Sequence, residues 1–167
     1  MLNSFLEIVI NFFSVFPRDL AVFLLSMFPV GELKLSLPVG LLVYHLPIWQ
    51  VVVLSIVGNM IPTTVILFFA DRFHCWVEKR SGFFSKRWIN TLAKIQKKFS
   101  GRYEKYGLII LVLITSIPVP GSGAYAGALA ALVFGISVKK SLPCIFSGIL
   151  LSTLIIILLT IGVDKVF

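Results

Sequence analysis

The chain has 167 residues, of which 58% are hydrophobic and 13% charged, and its formal net charge is +8. Its mean hydropathy of +1.01 is high, since soluble globular domains are only about half apolar. A chain this short cannot supply enough polar surface to cover so much apolar chain. The composition therefore excludes a soluble enzyme and predicts an integral membrane protein.

No set of residues has the spacing of a catalytic or metal site. His45 and His74 have no Cys, His or carboxylate at the spacing of metal ligands, apart from Asp71 three residues before His74. No pairing of a nucleophile with a base is recognisable either. We therefore expect no enzymatic activity, no catalytic residue, no metal site and no cofactor.

Residues 1–16 contain an acid and neither Lys nor Arg, which argues against a secretory signal. Their polar residues share one helical stripe, formed by Asn3, Glu7, Asn11 and Ser14. This pattern is typical of an N-terminal helix that lies in the membrane interface or packs beside other helices. A helix that crosses the membrane is the alternative.

Residues 18–70 predict a hairpin followed by one crossing helix. The first limb, 20–28, has about ten residues and spans only ~15 Å as a helix, which is half of a bilayer. After the break at Pro29 and Gly31 the chain has to turn back inside the membrane, so we expect a re-entrant helical hairpin. Residues 48–70 are long enough to cross fully. A plain helical bundle with a kink at Pro29 is the alternative.

Residues 71–105 form a basic connector. Ten of the fifteen Lys and Arg residues lie here, against three acids. Positive loops stay on the cytoplasmic side, so the connector is expected in the cytoplasm. Apolar residues recur at helical spacing between 84 and 99, which predicts an amphipathic helix on anionic lipid headgroups. Because topology explains the charge, nucleic-acid binding is not expected.

Residues 106–162 repeat the plan of residues 18–70. The break at Pro29 and Gly31 returns at Pro118 and Gly121, and Gly58 returns ninety residues later as Gly148. The limb 107–117 is again short, and residues 141–162 can cross the membrane. One crossing in each half turns the second repeat upside down relative to the first. We therefore predict an all-α single membrane domain, 1–167, built as an inverted repeat of re-entrant hairpin plus transmembrane helix.

Glu32 and Lys34, at the first break, are the charged residues expected at membrane depth, where charges usually pair, face water or serve a pathway. A helix directs residues two apart to different sides, so each is expected to address groups outside the hairpin. Glu32 shares a face with Ser36. In a partly dry cavity Glu32 could take up and release a proton near neutral pH. A break near the surface, with both charges solvated, is the alternative.

Asn59 lies midway along the first crossing helix, next to the Gly58 carbonyl that Pro62 leaves without its helical partner. An amide and a free carbonyl at this depth could bind an ion or complete the Glu32 site, or they could satisfy each other. His45 is the other residue in these stretches that can change charge near neutral pH.

The second break is uncharged and supplies the other predicted binding residues, namely Gly121, Ser122, Gly123 and Tyr125. Prolines stop the incoming limb and glycines let a new helix begin. The free N–H groups of that helix would favour an anion. A tight turn that binds nothing is the alternative.

Four segments carry a resemblance to a known family: PVGELKLSLPVGL at 29–41, GNMIP at 58–62, KYG at 105–107 and IPVPGSGAYAGALAALVFGI at 117–136. In these the chain resembles the bacterial small multi-drug export proteins, which are similar to the wider DedA and SNARE-associated (VTT) membrane group. The resemblance implies paired re-entrant hairpins and a role in moving lipids such as undecaprenyl phosphate. It also implies that Glu32 is the acid of the first hairpin and Lys34 its base.

Three functions follow from these features. The lead is a multi-pass transporter or flippase of the bacterial cytoplasmic (inner) membrane, proton-linked through Glu32, that moves an amphiphilic anion such as a polyprenyl phosphate lipid. The second is an exporter of small cationic drugs, and the third is a non-transporting protein that organises the membrane. Membrane lipids, including an anionic lipid substrate, are the expected partners, together with other copies of the chain as a homo-oligomer.

The charge distribution predicts a membrane topology that can be tested. With Cys75 and Cys144 replaced, a cysteine in place of Asn90 should be protected from an impermeant thiol reagent in intact cells. A cysteine in place of Lys165 should react, because both termini are expected on the outer face. The opposite labelling pattern would reverse the orientation.

Overall fold

A computed structural model describes residues 13, 15–29, 31–79, 103–119 and 123–164. Over these ranges the chain is helical and contains no strand. The helices are α1 (Arg18–Met27), α2 (Glu32–Pro38, continued by a π-helical turn at Val39–Val43), α3 (Ile48–Lys79), α4 (Tyr103–Ser116), α5 (Ala124–Phe134) and α6 (Val138–Asp164). The predicted all-α class is confirmed.

Two of these helices are long and apolar enough to cross a membrane, over Ile48–Phe69 in α3 and Val138–Gly162 in α6. Both begin near the predicted residues, and the apolar stretch of α3 ends within one residue of the predicted 48–70. Helix α3 itself continues to Lys79, because no Pro or Gly interrupts the chain until Gly82. The predicted limb 107–117 likewise begins earlier, as α4 at Tyr103.

The surface of α3 is inside-out relative to a helix of a soluble protein. Its buried stripe at four-residue spacing holds three polar residues, Ser55, Asn59 and Thr63, between Val51 and Leu67. Its exposed residues at the same spacing are Val53, Val57, Ile61 and Val65. A helix in water buries its apolar stripe and exposes polar side chains, whereas lipid favours the arrangement seen here. The chain is therefore a membrane protein, as its composition predicts.

The helices belong to two compact units. The first comprises Met1–Ile61 and Thr153–Phe167, and the second comprises Pro62–Ser152. Each long helix contributes to both units. Most of the predicted N-terminal helix lies outside the described residues, as does the amphipathic stripe predicted at 84–99. Phe13 is described, and it is buried in a cluster with Ala21, Leu25 and Val39.

In the first unit α1 runs parallel to the start of α3. At one end the Gln50 side-chain amide donates to Asp19 Oδ1 over 2.8 Å. At the other end Ser26 lies directly against Gly58, and a Cβ at residue 58 would be 2.7 Å from the carbonyl oxygen of Phe23. Real Cβ atoms do not come that close, so only glycine allows this approach.

Helix α2 returns alongside α1, which it contacts extensively. Its π-helical extension packs on both neighbours at Gly40, where a Cβ would be 2.6 Å from Val51 Cγ1 and 3.2 Å from Val22 Cγ2. The residues that follow, 44–47, reverse the chain into α3. Helix α2 is therefore antiparallel to both α1 and α3.

The second unit has a matching contact. A Cβ at Gly148 of α6 would be 2.6 Å from Thr115 Cβ and 2.9 Å from the carbonyl oxygen of Val112, both in α4. Gly127 of α5 lies against Thr115 and Ile145. Each hydroxyl at these contacts donates to its own helix, Ser26 to the Phe23 carbonyl over 2.6 Å and Thr115 to the Leu111 carbonyl over 2.7 Å.

We expect Gly58→Ala and Gly148→Ala to destabilise the protein, each by about 1–3 kcal/mol, because the added methyl group overpacks a helix contact. The measurement is the midpoint of thermal unfolding in detergent micelles. Gly162→Ala is the matched control in α6, since no atom lies within 4 Å of a Cβ at that position. Equal midpoints for Gly58→Ala and Gly162→Ala would contradict the close contact between α1 and α3.

Candidate functional site

The tip of the first hairpin lies level with the middle of the apolar stretch of α3. Gly58, which contacts Ser26, is the eleventh of the 22 residues in the stretch Ile48–Phe69. The hairpin turns within the next few residues, and α2 begins at Glu32. The Glu32 side chain is therefore attached near the middle of the apolar stretch.

Glu32 has a strained backbone and a buried side chain. Its φ is 44°, a left-handed conformation that costs about 1–2 kcal/mol for a residue with a Cβ atom. The residue is only 4% exposed. Strained backbone of this kind clusters at functional sites, which singles out Glu32 in the hairpin.

Glu32 and Lys34 form an ion pair, with 3.8 Å between Lys34 Nζ and Glu32 Oε2. The expectation that they point apart was wrong. It considered only the helical direction of each side chain, whereas both side chains are long enough for their charged ends to meet across two residues. The Lys34 side chain is 17% exposed and that of Glu32 6%. The pair is therefore largely desolvated, and loss of one partner would remove the ion-pair contact from a charge that water scarcely reaches.

Two further predicted residues lie in the same unit. Ser36 of α2 and Asn59 of α3 are both fully buried. Sequence reasoning missed Ser55, which is also fully buried on α3. A signal for it was available, since Ser55, Asn59 and Thr63 recur at four-residue spacing in an otherwise apolar helix.

The residues predicted at the second break belong to the other unit. Gly123 is buried and has φ 123°, a conformation that favours glycine, immediately before α5 begins. Tyr125 is half-buried in the first turn of α5. Gly121 and Ser122 lie outside the described residues, so an anion site at this turn stays a prediction.

The first unit also contains an open cavity of about 290 Å³ where α3 begins and α6 ends. It is lined by Leu41, Leu42, His45, Leu46, Ile48, Thr160 and Ile161. His45 has a left-handed φ of 51°. Among the described residues no group of three or more His, Cys, Asp or Glu side chains could hold a metal ion.

The fold and the site define a helical membrane protein with a buried ion pair beside the middle of an apolar helix. The model of the family described as "Putative small multi-drug export protein" matches residues 32–155. The match covers most of the chain and includes Glu32, Lys34, Ser36 and Asn59. The chain belongs to the small multi-drug export protein family.

The family name describes multi-drug export, which is a membrane-transport activity. No curated protein matches the chain, and no solved structure does. The family match confirms the resemblance to the small multi-drug export proteins.

The ion pair makes a stability prediction. Glu32→Gln and Lys34→Gln should each lower the thermal midpoint, because each removes the ion-pair contact of a desolvated charge. The double variant should lose less than the sum of the two, with a coupling energy of about 0.5–3 kcal/mol. Lys139→Gln, at an exposed position of α6, is the control for loss of a positive charge. Strictly additive effects would show that the two side chains do not interact.

Proposed function

We propose that this chain is a proton-linked membrane exporter of amphiphilic small molecules, in which Glu32 takes up and releases the proton. The observation that carries the proposal is the buried carboxylate of Glu32, 4% exposed, beside the middle of an apolar helix and paired with Lys34. A charge at this depth is costly unless it serves a pathway. The family name, which describes export, supports the same activity.

The architecture we propose is a pair of re-entrant hairpins. Ser26 contacts Gly58 in the first unit and Thr115 contacts Gly148 in the second. Gly148 is the eleventh residue of the stretch Val138–Gly162, just as Gly58 is the eleventh of its own. Both hairpins thus reach about half-way along a crossing helix before they turn. Irregular backbone at that depth is tolerated where it is buried in protein or lines a wet cavity.

Contacts within the first unit support an inverted repeat. Ile48, the first residue of α3, and Thr160, near the end of α6, line the same cavity. In the proposed arrangement the two crossing helices run in opposite directions, and each carries a hairpin against its first half. Hairpins inserted from opposite faces, with a site near the midplane, are a recurrent design of transporters. We place the protein in the bacterial cytoplasmic membrane with the connector inside.

The ion pair suggests how a proton could be coupled to a substrate. With Glu32 ionised the pair is neutral, and a cationic drug would compete with Lys34 for the carboxylate. A proton arriving on Glu32 would release that drug, so proton and drug would move in opposite directions. This exchange would use the inward-directed proton gradient to drive export.

An anionic lipid flippase is the second candidate, favoured by Lys34, whose side chain is the more exposed of the pair. Protonation of Glu32 would free Lys34 to bind a phosphate, and deprotonation would restore the ion pair and release the phosphate. Proton and lipid would then move in the same direction. The resemblance to the DedA and VTT group supports this candidate. The direction of proton flux relative to substrate flux therefore separates the two.

Proteoliposomes with an imposed pH gradient test both candidates. Glu32→Gln should abolish pH-linked transport, because the carboxyl group that we propose takes up and releases the proton is lost. Asp19→Asn is the matched control, since Asp19 is an exposed acid at the far end of the same hairpin. Full pH-linked transport by Glu32→Gln would refute the mechanism and leave His45 as the next candidate.

Lys34→Gln distinguishes the substrates in the same assay. It should weaken transport of a polyprenyl phosphate, whose charge Lys34 would bind, and spare or improve transport of a cationic dye. The Glu32→Gln/Lys34→Gln double variant, which restores neutrality, controls for instability of the single variants. Absence of any pH-linked transport by the wild-type protein with either substrate would favour a membrane-organising role.

A further inference from the structure

We infer that water molecules bound between α2 and α3 carry protons to and from Glu32, and that the hydroxyl groups of Ser36 and Ser55 hold them. This inference rests on the proposed function, in which Glu32 exchanges protons. The ligand is water, and the role is a proton path to a carboxylate that solvent scarcely reaches.

The register of the two helices brings Ser36 and Ser55 to the same level. Gly40 faces Val51, and α2 is antiparallel to α3. One helical turn nearer the hairpin tip, about 6 Å along each axis, lie Ser36 on α2 and Ser55 on α3. The next turn brings Glu32 and Asn59 to a common level. Polar side chains therefore face each other on two successive turns that lead from the Gly40 contact to the carboxylate.

The hydroxyls of Ser36 and Ser55 are unusual in this protein. Both are fully buried, and neither has a hydrogen-bond partner within the described part of the chain. Several other buried hydroxyls donate to a carbonyl of their own helix, as Thr115 does to Leu111 and Thr160 to Ile156. Buried polar groups almost always find a hydrogen-bond partner, and a buried water molecule with several polar neighbours can be that partner.

Packing does not require these polar residues. Gly58 and Gly148 make matching contacts, so positions can be counted from each glycine. Ser55 and Asn59, three residues before and one after Gly58, correspond to Ile145 and Ile149, which are also fully buried. The same helix positions thus accept large apolar side chains in the second unit. Polarity at Ser55 and Asn59 points to a role beyond packing.

Water fits this site better than a metal ion. The hydroxyls of Ser36 and Ser55 are neutral and can both donate and accept hydrogen bonds. The nearest carboxylate, that of Glu32, is already paired with Lys34, and a cation there would face the ammonium group. Water bridging hydroxyl groups can pass a proton along, which a bound cation cannot.

The test uses Ser36→Ala, Ser55→Ala and their double variant in proteoliposomes, with proton uptake after a pH jump followed by an enclosed pH dye. Each single variant should slow uptake several-fold. The double variant should be no slower than the slower single one, because both serines serve one path. Tyr44→Phe is the matched control, since the Tyr44 hydroxyl is also buried without a partner in the described chain but Tyr44 packs against the cluster around Ala21 and Leu25.

Three outcomes would overturn the inference. Uptake at the wild-type rate in both alanine variants, with Glu32→Gln inactive, would remove the path and leave the proposed function standing. Equal slowing by Tyr44→Phe would show that the proton path is not confined to the α2–α3 interface. A rise of the thermal midpoint in both alanine variants would indicate a dry interface, because loss of an unsatisfied buried hydroxyl stabilises a protein. Normal uptake in Glu32→Gln would instead refute the proposed function.

Discussion

Each hairpin is held against a long apolar helix by a glycine near the middle of that helix. At Gly58 and Gly148 the neighbouring helix approaches so closely that a methyl group would collide with a backbone carbonyl. Without a hydrophobic driving force between helices in lipid, such close approach supplies the van der Waals contact that holds them together. The position of Glu32 follows from the first of these contacts, because only a few residues separate it from Ser26. A side chain placed by a backbone contact this tight has little freedom to leave its depth.

The two units use the same packing for different chemistry. The first combines a left-handed Glu32, a desolvated ion pair and two buried hydroxyls without partners in the described chain. Each of these features costs free energy. In the second unit the corresponding helix positions hold Ile145 and Ile149, which carry no such cost. These features reduce stability and are absent from the corresponding helix positions of the second unit, so they are best explained by function.

The sequence predicted the broad fold because the relevant signals are local. Apolar stretches of sufficient length identified both crossing helices, and the recurrence of Gly58 as Gly148 identified the two residues that make matching contacts. The predicted crossing stretch of α3 agrees with the apolar stretch found, but membrane depth and helix length are different quantities, and the helix continues to Lys79. The pairing of Glu32 with Lys34 was missed. It depends on how two long side chains bend towards each other, which residue spacing alone does not determine.

The inside-out pattern of α3 explains why Ser55 was overlooked and why it matters. In a helix surrounded by lipid the apolar residues carry little information, since valine suits both a lipid-facing and a buried position. The informative residues are the few polar ones, because each must face protein, another polar group or water. Ser55 and Asn59 meet that condition on the same face of α3, one turn apart, and that face is turned towards the helix that carries Glu32 and Ser36. A membrane helix is therefore best analysed from its polar stripe inward, and in this chain that stripe leads to the ion pair.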